Sequence, residues 1–356
     1  MAHFEKRSTY PVPAQRLYDW HSREGAFERL SPPWDDVRTV HAEGGITDGA
    51  IRVMKLRKGP LSLTWEAHHS DHIEGEQFVD LQVKGPFKSW VHTHRFESRG
   101  PEKCELIDSI EYKLPLGPLG SLVGGPIARG TLDDMFRFRH LRTGDDLLRH
   151  KEFPALTFGY YVGMKSFFTT DFEAFFSTGG HKIYSLFRSE EAKDDLPLVI
   201  LYPEREDRSF LKTLGPKVRL ILIQPGATKT QEQELRSLCK EAVIVRHAPF
   251  LDPRVGVLHD LQKPLRRFKL SGEFSWVDPD DLLGFILQIV AEEPPAQELY
   301  FEAPQKAEST HIRDAFRHRT SDPTLEPMHT EAQFKGLKFH YFFPTFERTM
   351  AMKLPS

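Results

Sequence analysis

Polar and hydrophobic residues alternate through the first third of the chain, in segments that are separated by glycine, proline and aspartate. Strand-like segments lie at 3–12, 36–42, 49–57, 61–71, 76–84, 87–97 and 103–114. Turn-forming pairs such as Gly59-Pro60 and Gly85-Pro86 interrupt them. This regular spacing of short alternating segments predicts an antiparallel meander.

Two regions show helical rather than alternating periodicity. Within 13–30, four apolar residues recur at roughly helical spacing and predict two short helices: Leu17, Trp20, Phe27 and Leu30. After a Gly-Gly-Pro sequence at 124–126, four more recur in the same way: Leu132, Met135, Phe136 and Leu141. The second set predicts a long helix near 127–142 that closes one face of the sheet, followed by a linker at 143–155.

The order of these elements, and the wording of several segments, resemble the START-like superfamily of polyketide-cyclase (SRPBCC) domains. The segments are HSREGAFERLSPPW, GPLSLTWEAHH, FVDLQVKGPFKSWVHTHRFE and IEYKLPLGPLG. The resemblance covers residues 2–150 and implies an α+β helix-grip domain, in which a curved sheet wraps a long helix. Such domains bind lipids, polyketides or other hydrophobic molecules in an apolar cavity between sheet and helix. A ligand-binding domain at 1–150 is therefore expected.

Seven residues are candidates for the wall of that cavity. Strand alternation places four of them on one face of the segment 89–98, and neighbouring elements contribute the rest: Trp90, His92, His94 and Phe96, with Trp65, Phe78 and Phe136. The two histidines are available to hydrogen-bond the polar end of a ligand. The alternative is a packed core in which carboxylates such as Glu66 or Asp80 satisfy the histidines.

A metal site that includes His92 and His94 is a more specific hypothesis for the same strand. A pair of histidines two residues apart on a strand can share a metal ion. The third ligand would have to come from His68 or His69, and no pattern in the sequence requires it. No metal is therefore expected.

The second half of the chain opens with the layout of a dinucleotide-binding unit. An apolar run from Ala155 reaches Gly163, and an apolar helical segment, a Gly-Gly-His turn and a short strand follow. In such a unit, glycines at positions one, four and seven of the turn allow the pyrophosphate to approach the backbone. Those positions hold Gly163, Ser166 and Thr169. Side chains at the last two predict a scaffold that no longer binds a cofactor.

Residues 155–354 resemble an epimerase-like domain of the extended short-chain dehydrogenase/reductase class. The resemblance rests on STGGHKIYSLFR (177–188), VRLILIQPGA (218–227), AVIVRHAPFLDPRVGVL (242–258), FSWVDPDDLLGFILQIVAEEP (274–294) and FKGLKFHYFFPTFERTMAMKL (334–354). It implies a shortened α/β Rossmann-like domain at 151–356. In members that use NADP, an arginine at the end of the second strand faces the ribose 2′-phosphate. Arg188 would be its counterpart, unless it is an ordinary solvated surface residue.

The catalytic residues of that class are missing. Active members use a tyrosine with a lysine four residues later, and between 155 and 356 this spacing occurs only at Tyr161 and Lys165, in the opening strand and its turn. The expected function is non-catalytic, with the second domain as a scaffold or as a docking surface for a second copy or another protein. The phenylalanines at 167, 168, 342 and 343 are the expected repacking material. The alternative is an atypical NADP-dependent reductase or epimerase that tolerates Ser166 and Thr169.

Composition narrows the function further. The chain has 356 residues with a formal net charge of −3, which argues against a broad nucleic-acid surface. Its two cysteines, Cys104 and Cys239, are too few for a disulfide framework. No apolar run is long enough for a membrane span. We therefore expect a cytoplasmic protein.

Overall fold

The computed structural model describes residues 1–58, 60–115, 117–186, 196–203, 207, 209–210, 220–225, 242–255, 258, 273–292, 294, 298–308, 330–334, 337–343 and 345–355. The chain divides into two compact units, Met1–Glu152 and Phe153–Leu354.

The first unit contains a seven-stranded sheet that is antiparallel throughout. Its strands are β1 (Ala2–Tyr10), β2 (Asp36–Glu43), β3 (Ile51–Lys58), β4 (Leu61–Ile73), β5 (Gln77–Lys84), β6 (Ser89–Ser98) and β7 (Cys104–Lys113). They lie in the order β1-β7-β6-β5-β4-β3-β2, so consecutive strands from β2 to β7 are neighbours. The predicted antiparallel meander is confirmed.

Three helices complete this unit: α1 (Ala14–Ser22), α2 (Ala26–Arg29) and α3 (Gly117–Lys151). The two short helices were predicted, but both predicted ends of the long helix were wrong. Helix α3 begins ten residues before the predicted start and contains Pro126. It also continues to Lys151, so the predicted linker at 143–155 is largely helical. The extension is stabilised by burial of Leu147 and by a buried ion pair between Asp146 and Arg29 of α2.

The inner face of the sheet is packed in two aromatic groups. The Trp20 cluster holds Tyr10, Val12, Leu17, Tyr18, Trp20, Phe78, Phe96, Leu106 and Leu147. The Trp90 cluster holds Phe4, Trp90, Ile110, Tyr112, Leu132 and Phe136, with Trp65 and Phe87 packed against it. Strand alternation sends these side chains to one face, where α1 and α3 cover them.

The strands of the second unit are β8 (Thr157–Val162), β9 (Lys182–Ser185), β10 (Leu198–Leu201), β11 (Leu220–Pro225), β12 (Val243–His247), β13 (Glu273–Phe274), β14 (Glu298–Phe301), β15 (Ala307–Glu308), β16 (Thr330–Phe334) and β17 (Leu337–Tyr341). Six of them form a parallel sheet in the order β9-β8-β10-β11-β12-β14. The others pair antiparallel, β13 with β15 and β16 with β17. The helices are α4 (Phe167–Thr178), α5 (Pro279–Glu292) and α6 (Phe346–Lys353).

Sequence patterns pointed to β8, β9, β11 and β12 but not to β10 or β14. β9, β10 and β14 each have only four residues, too few positions to establish a period. β9 was predicted from the Gly-Gly-His turn that precedes it, whereas β10 and β14 are defined by their neighbouring strands. The core beside the sheet is rich in phenylalanine, from β8, α4, α5, β14 and β17: Phe158, Phe168, Phe172, Phe175, Phe176, Phe285, Phe301 and Phe339.

Candidate functional site: a buried histidine–aspartate network

The register of the antiparallel sheet brings ionisable side chains together on its inner face. His69 of β4 lies opposite Asp80 of β5, and Asp80 lies opposite His92 of β6. Two residues further along β6, His94 lies opposite Asp108 of β7. Because residues two apart on a strand share a face, the two rows form one network across four neighbouring strands.

Asp108 is the centre of the network. His92 Nε2 lies 2.9 Å from Asp108 Oδ1, and His94 Nδ1 lies 2.7 Å from the same oxygen. His140, which projects from α3, places its Nε2 2.7 Å from Asp108 Oδ2. Three imidazole rings therefore surround one buried carboxylate, and one of them links the helix to the sheet.

Asp80 forms the second centre and is the more accessible one. Its Oδ1 lies 2.5 Å from His69 Nε2, while its Oδ2 lies 3.1 Å from His94 Nε2 and 3.7 Å from His92 Nδ1. The Asp80 side chain is 24% exposed, whereas the side chains of its three histidine neighbours are at most 7% exposed. A molecule that approaches the network therefore meets the Asp80 carboxylate first.

The two histidines of β6 differ in charge state. Burial, together with the neighbouring charge on His94, lowers the pKa of His92 to about 4. Burial also disfavours the charged form of His94, but the Asp108 and Asp80 carboxylates outweigh it and raise the pKa of His94 to about 9. At neutral pH His94 therefore carries a proton, while His92 is neutral.

The pKa values of the two carboxylates, Asp80 and Asp108, are both lowered. Burial alone would raise the pKa of both Asp80 and Asp108. Hydrogen bonds from the surrounding histidines and the charge on His94 hold both pKa values well below the usual range. Both aspartates are therefore ionised, and their two negative charges lie beside the protonated His94.

The seven residues predicted for the cavity wall all lie in this unit, where the two clusters flank the network. Phe78 stacks on His94 with ring centroids 4.2 Å apart, and Phe136 meets His92 edge-on at 5.2 Å. Phe96 belongs to the Trp20 cluster, while Trp90 and the partly exposed Trp65 lie in or against the other. That these residues enclose a ligand cavity stays a prediction.

Carboxylates are the partners of the histidines, as in the packed-core alternative, but the predicted pairs were only partly right. Asp80 is a partner, whereas Glu66 pairs with His68 at 3.0 Å, away from the network. Sequence reasoning missed Asp108 and His140. The available signal for Asp108 was its position between Leu106 and Ile110, in a row of otherwise apolar residues on the buried side of β7.

In the second unit, Gly163 is required by a close approach of the protein backbone. A Cβ atom at this position would lie 2.9 Å from Pro203 Cα and against the Tyr202 carbonyl and the Asp207 carboxylate. The Thr169 hydroxyl accepts from Ser166 N at 3.2 Å and donates to Ser166 O at 2.7 Å. These two residues therefore close the first turn of α4. Arg188, the fourth residue assigned to the cofactor turn, lies outside the described residues.

The phenylalanines that follow this turn are packed against the loop after β12. Phe168 stacks on Phe250 with centroids 5.1 Å apart, and Phe250 stacks in turn on His247 at 4.5 Å. Arg254 lies 4.4 Å above the Phe167 ring and binds the Asp171 carboxylate at 2.7 Å. Phe342 and Phe343, near the C-terminus, are also buried.

Within the described part of the chain, no helix has the length and hydropathy that crossing a bilayer requires.

Comparison with known proteins identifies the first unit. The family described as polyketide cyclase / dehydrase and lipid transport matches residues 10–138. This part of the chain is therefore a polyketide cyclase/dehydrase domain of the helix-grip type. Among curated proteins, none matches the chain.

Similar solved structures concern the fold alone. A nucleoside-diphosphate sugar epimerase from Corynebacterium glutamicum is 19% identical, with a TM-score of 0.67, over 88% of this chain and 81% of that one. The Zhui aromatase/cyclase from Streptomyces sp. R1128 is 16% identical, with a TM-score of 0.33, over 42% and 95%. Norcoclaurine synthase from Thalictrum flavum is 12% identical, with a TM-score of 0.35, over 42% and 87%. At such scores the last two carry no functional argument.

Proposed function

We propose that the first unit binds a hydrophobic small molecule or lipid between its sheet and α3. The observation that carries this proposal is the aromatic inner face of the sheet in a domain whose family is described by polyketide cyclisation and lipid transport. Ligand sites of this kind are mostly apolar and contain a few convergent polar groups. The two aromatic clusters and the histidine–aspartate network supply those two components.

Two partly exposed aromatic side chains suggest where the ligand contacts the inner face of the sheet. Trp65 packs edge-on against Trp90 at 5.2 Å and against Phe87 at 5.8 Å, and neither Trp65 nor Phe87 is fully buried. Aromatic surface left partly open beside a packed cluster favours an apolar partner, because covering it removes hydrocarbon from water. A polar group on the ligand would meet Asp80, whose orientation is fixed by its histidine neighbours.

The second unit, in this proposal, is a shortened Rossmann-like domain without reductase activity that serves as a scaffold or docks a partner protein. The order of its parallel strands supports the fold, with domain limits near 1–150 and 151–356. The crowded surroundings of Gly163 and the side chains of Ser166 and Thr169 support the loss of nucleotide binding, because pyrophosphate needs open backbone amides at this turn. The protein would act in the cytoplasm.

Native mass spectrometry of freshly purified full-length protein, followed by solvent extraction, tests the first part. We expect an apolar molecule to accompany the protein and a fluorescent fatty-acid analogue to bind. Trp65→Ala removes a contact surface and should weaken probe binding at least tenfold. Val83→Ala, an exposed position on the neighbouring strand β5, is the matched control and should bind like the parent protein. Protein that carries no apolar molecule and does not bind the probe would contradict the proposal.

Thermal unfolding with millimolar NADPH tests the second part. A ligand that binds only the folded state raises the unfolding midpoint, so an unchanged midpoint is expected. A rise that disappears when Gly163 or Ser166 is substituted would favour the atypical reductase instead.

A further inference from the structure

Three side chains of the network, Asp80, His92 and His94, each place a potential ligand atom within 4.8 Å of the other two. The Asp80 Oδ2 atom lies 3.1 Å from His94 Nε2 and 3.7 Å from His92 Nδ1. Metal bonds of about 2.0–2.2 Å place neighbouring ligand atoms roughly 3–3.5 Å apart. The two separations from Asp80 Oδ2 are therefore close to those of a metal site.

The far nitrogens of both histidines lie beside one carboxylate. Asp108 Oδ1 is hydrogen-bonded to His92 Nε2 at 2.9 Å and lies 2.7 Å from His94 Nδ1 as an ion-pair contact. In metal sites, a carboxylate on the far nitrogen of a ligating histidine fixes the tautomer and the ring orientation. Here that arrangement leaves His92 Nδ1 and His94 Nε2 as the nitrogens that face Asp80.

The carboxylates themselves are similarly supported. His140 Nε2 lies 2.7 Å from Asp108 Oδ2, and His69 Nε2 lies 2.5 Å from Asp80 Oδ1. The second oxygen of Asp80 is thus the one directed at the two β6 histidines. Groups that hold a ligand in place from outside the coordination sphere are a recurring feature of metal sites.

We propose that Asp80, His92 and His94 bind one divalent first-row transition metal ion. Two imidazoles and one carboxylate suit such an ion rather than calcium or magnesium, which prefer all-oxygen sites. Its two positive charges would balance the buried carboxylates of Asp80 and Asp108 once both β6 histidines are neutral. Three protein ligands leave coordination positions open on the side of Asp80, the most exposed of the three, where water or a polar group of a ligand has access.

The inference does not depend on the proposed apolar ligand, because it is tested with the metal alone. Untagged full-length protein is treated with EDTA, desalted and titrated with Zn²⁺ by calorimetry and with Co²⁺ by visible absorption. We expect one equivalent to bind with a dissociation constant in the micromolar range or tighter, and Co²⁺ bands of a site with few ligands. Binding weaker than millimolar would overturn the proposal.

Four substitutions place the site. His92→Gln, His94→Gln and Asp80→Asn should each weaken Zn²⁺ binding at least 100-fold, and Asp108→Asn should weaken it 10- to 100-fold through lost support of the rings. His68→Gln is the matched control, because this histidine lies on β4 but pairs with Glu66 outside the network. It should bind Zn²⁺ like the parent protein.

Folding of each variant is checked by far-UV circular dichroism. Should a ligand variant not fold, the Co²⁺ spectrum and X-ray absorption of the unmodified protein still report whether two imidazoles ligate the ion. Zinc binding that is unchanged in all three ligand variants, or a cobalt site without imidazole, would contradict the assignment. Protein that carries no apolar molecule and does not bind the fatty-acid probe, yet binds zinc, would contradict the apolar-ligand proposal and leave this one intact.

Discussion

The ion pair between Arg29 and Asp146 gives the most direct test of how the first unit is held together. Arg29 Nε and Nη2 donate to the two oxygens of Asp146 at 2.8 and 2.6 Å. The two side chains are 2% and 0% exposed. The pair joins the short helix α2 to the C-terminal third of α3, the region that the sequence pattern assigned to a linker.

Replacing Arg29 by Met removes one partner and leaves the Asp146 carboxylate buried without its counter-ion. Breaking a buried pair in this way costs about 3–5 kcal/mol, because the remaining charge keeps its desolvation penalty. With a urea dependence of about 2 kcal/mol per molar for a unit of this size, the unfolding midpoint should fall by roughly 2 M. The double variant Arg29→Met/Asp146→Leu, which removes both charges of this pair, should recover most of that loss.

Tryptophan fluorescence in a urea titration measures this effect, because four of the five tryptophans lie in the first unit: Trp20, Trp34, Trp65 and Trp90. Arg38→Met is the control, since its pair with Asp36 is exposed and should contribute less than about 1 kcal/mol. A midpoint for Arg29→Met within a few tenths molar of the parent value would refute the reasoning. So would a double variant that is no more stable than the single one.

Two further predictions concern pH and packing. In EDTA, the stability of the first unit should fall below pH 6.5, because the unfolded chain takes up protons that His92 and His21, with pKa values of about 4 and about 3, do not accept in the fold. His92 alone accounts for on the order of 3 kcal/mol of this loss by pH 4. Stability should also fall between pH 6.5 and 9, as His94, with its raised pKa of about 9, loses its proton. Urea titrations across the whole pH range check the acid and the alkaline decline, and the variant His94→Gln should lack the alkaline decline. Gly163→Ala should destabilise the second unit by about 1–3 kcal/mol in scanning calorimetry, since its Cβ would meet Pro203 and the Tyr202 carbonyl. Gly130→Ala, at an open position of α3, should leave stability unchanged or raise it, and equal effects of the two alanines would contradict the packing argument.

Local pattern was sufficient for much of the first unit. Alternation in 89–98 correctly placed Trp90, His92, His94 and Phe96 on the buried face, because successive side chains of a strand point to opposite sides. Helical spacing likewise predicted α1 and α2. In the second unit, runs of apolar residues long enough to show a period predicted the opening strand and helix.

Contacts between distant residues decided the rest. The pairing of His69 with Asp80 depends on the register of β4 and β5, and this pairing of strands contains two irregularities, after Glu66 and after Ser70. Such bulges change which residues lie opposite each other, and no alternation along a single strand encodes them. Asp108 and His140 meet only when α3 lies across β7, so the candidate site became recognisable only in the folded unit.

The end of α3 and the role of Gly163 show the same division. Residues 143–151 have the polar composition of a linker. They are nevertheless helical because Asp146 forms an ion pair with Arg29 and Leu147 packs in the core. Gly163 fits the first glycine of a cofactor turn in the sequence, yet in the fold its missing side chain admits the loop that follows β10. The sequence by itself determined the elements and their buried faces, since these depend on neighbours a few residues apart. The tertiary structure decided the network and the close approaches, since these depend on residues that only folding brings together.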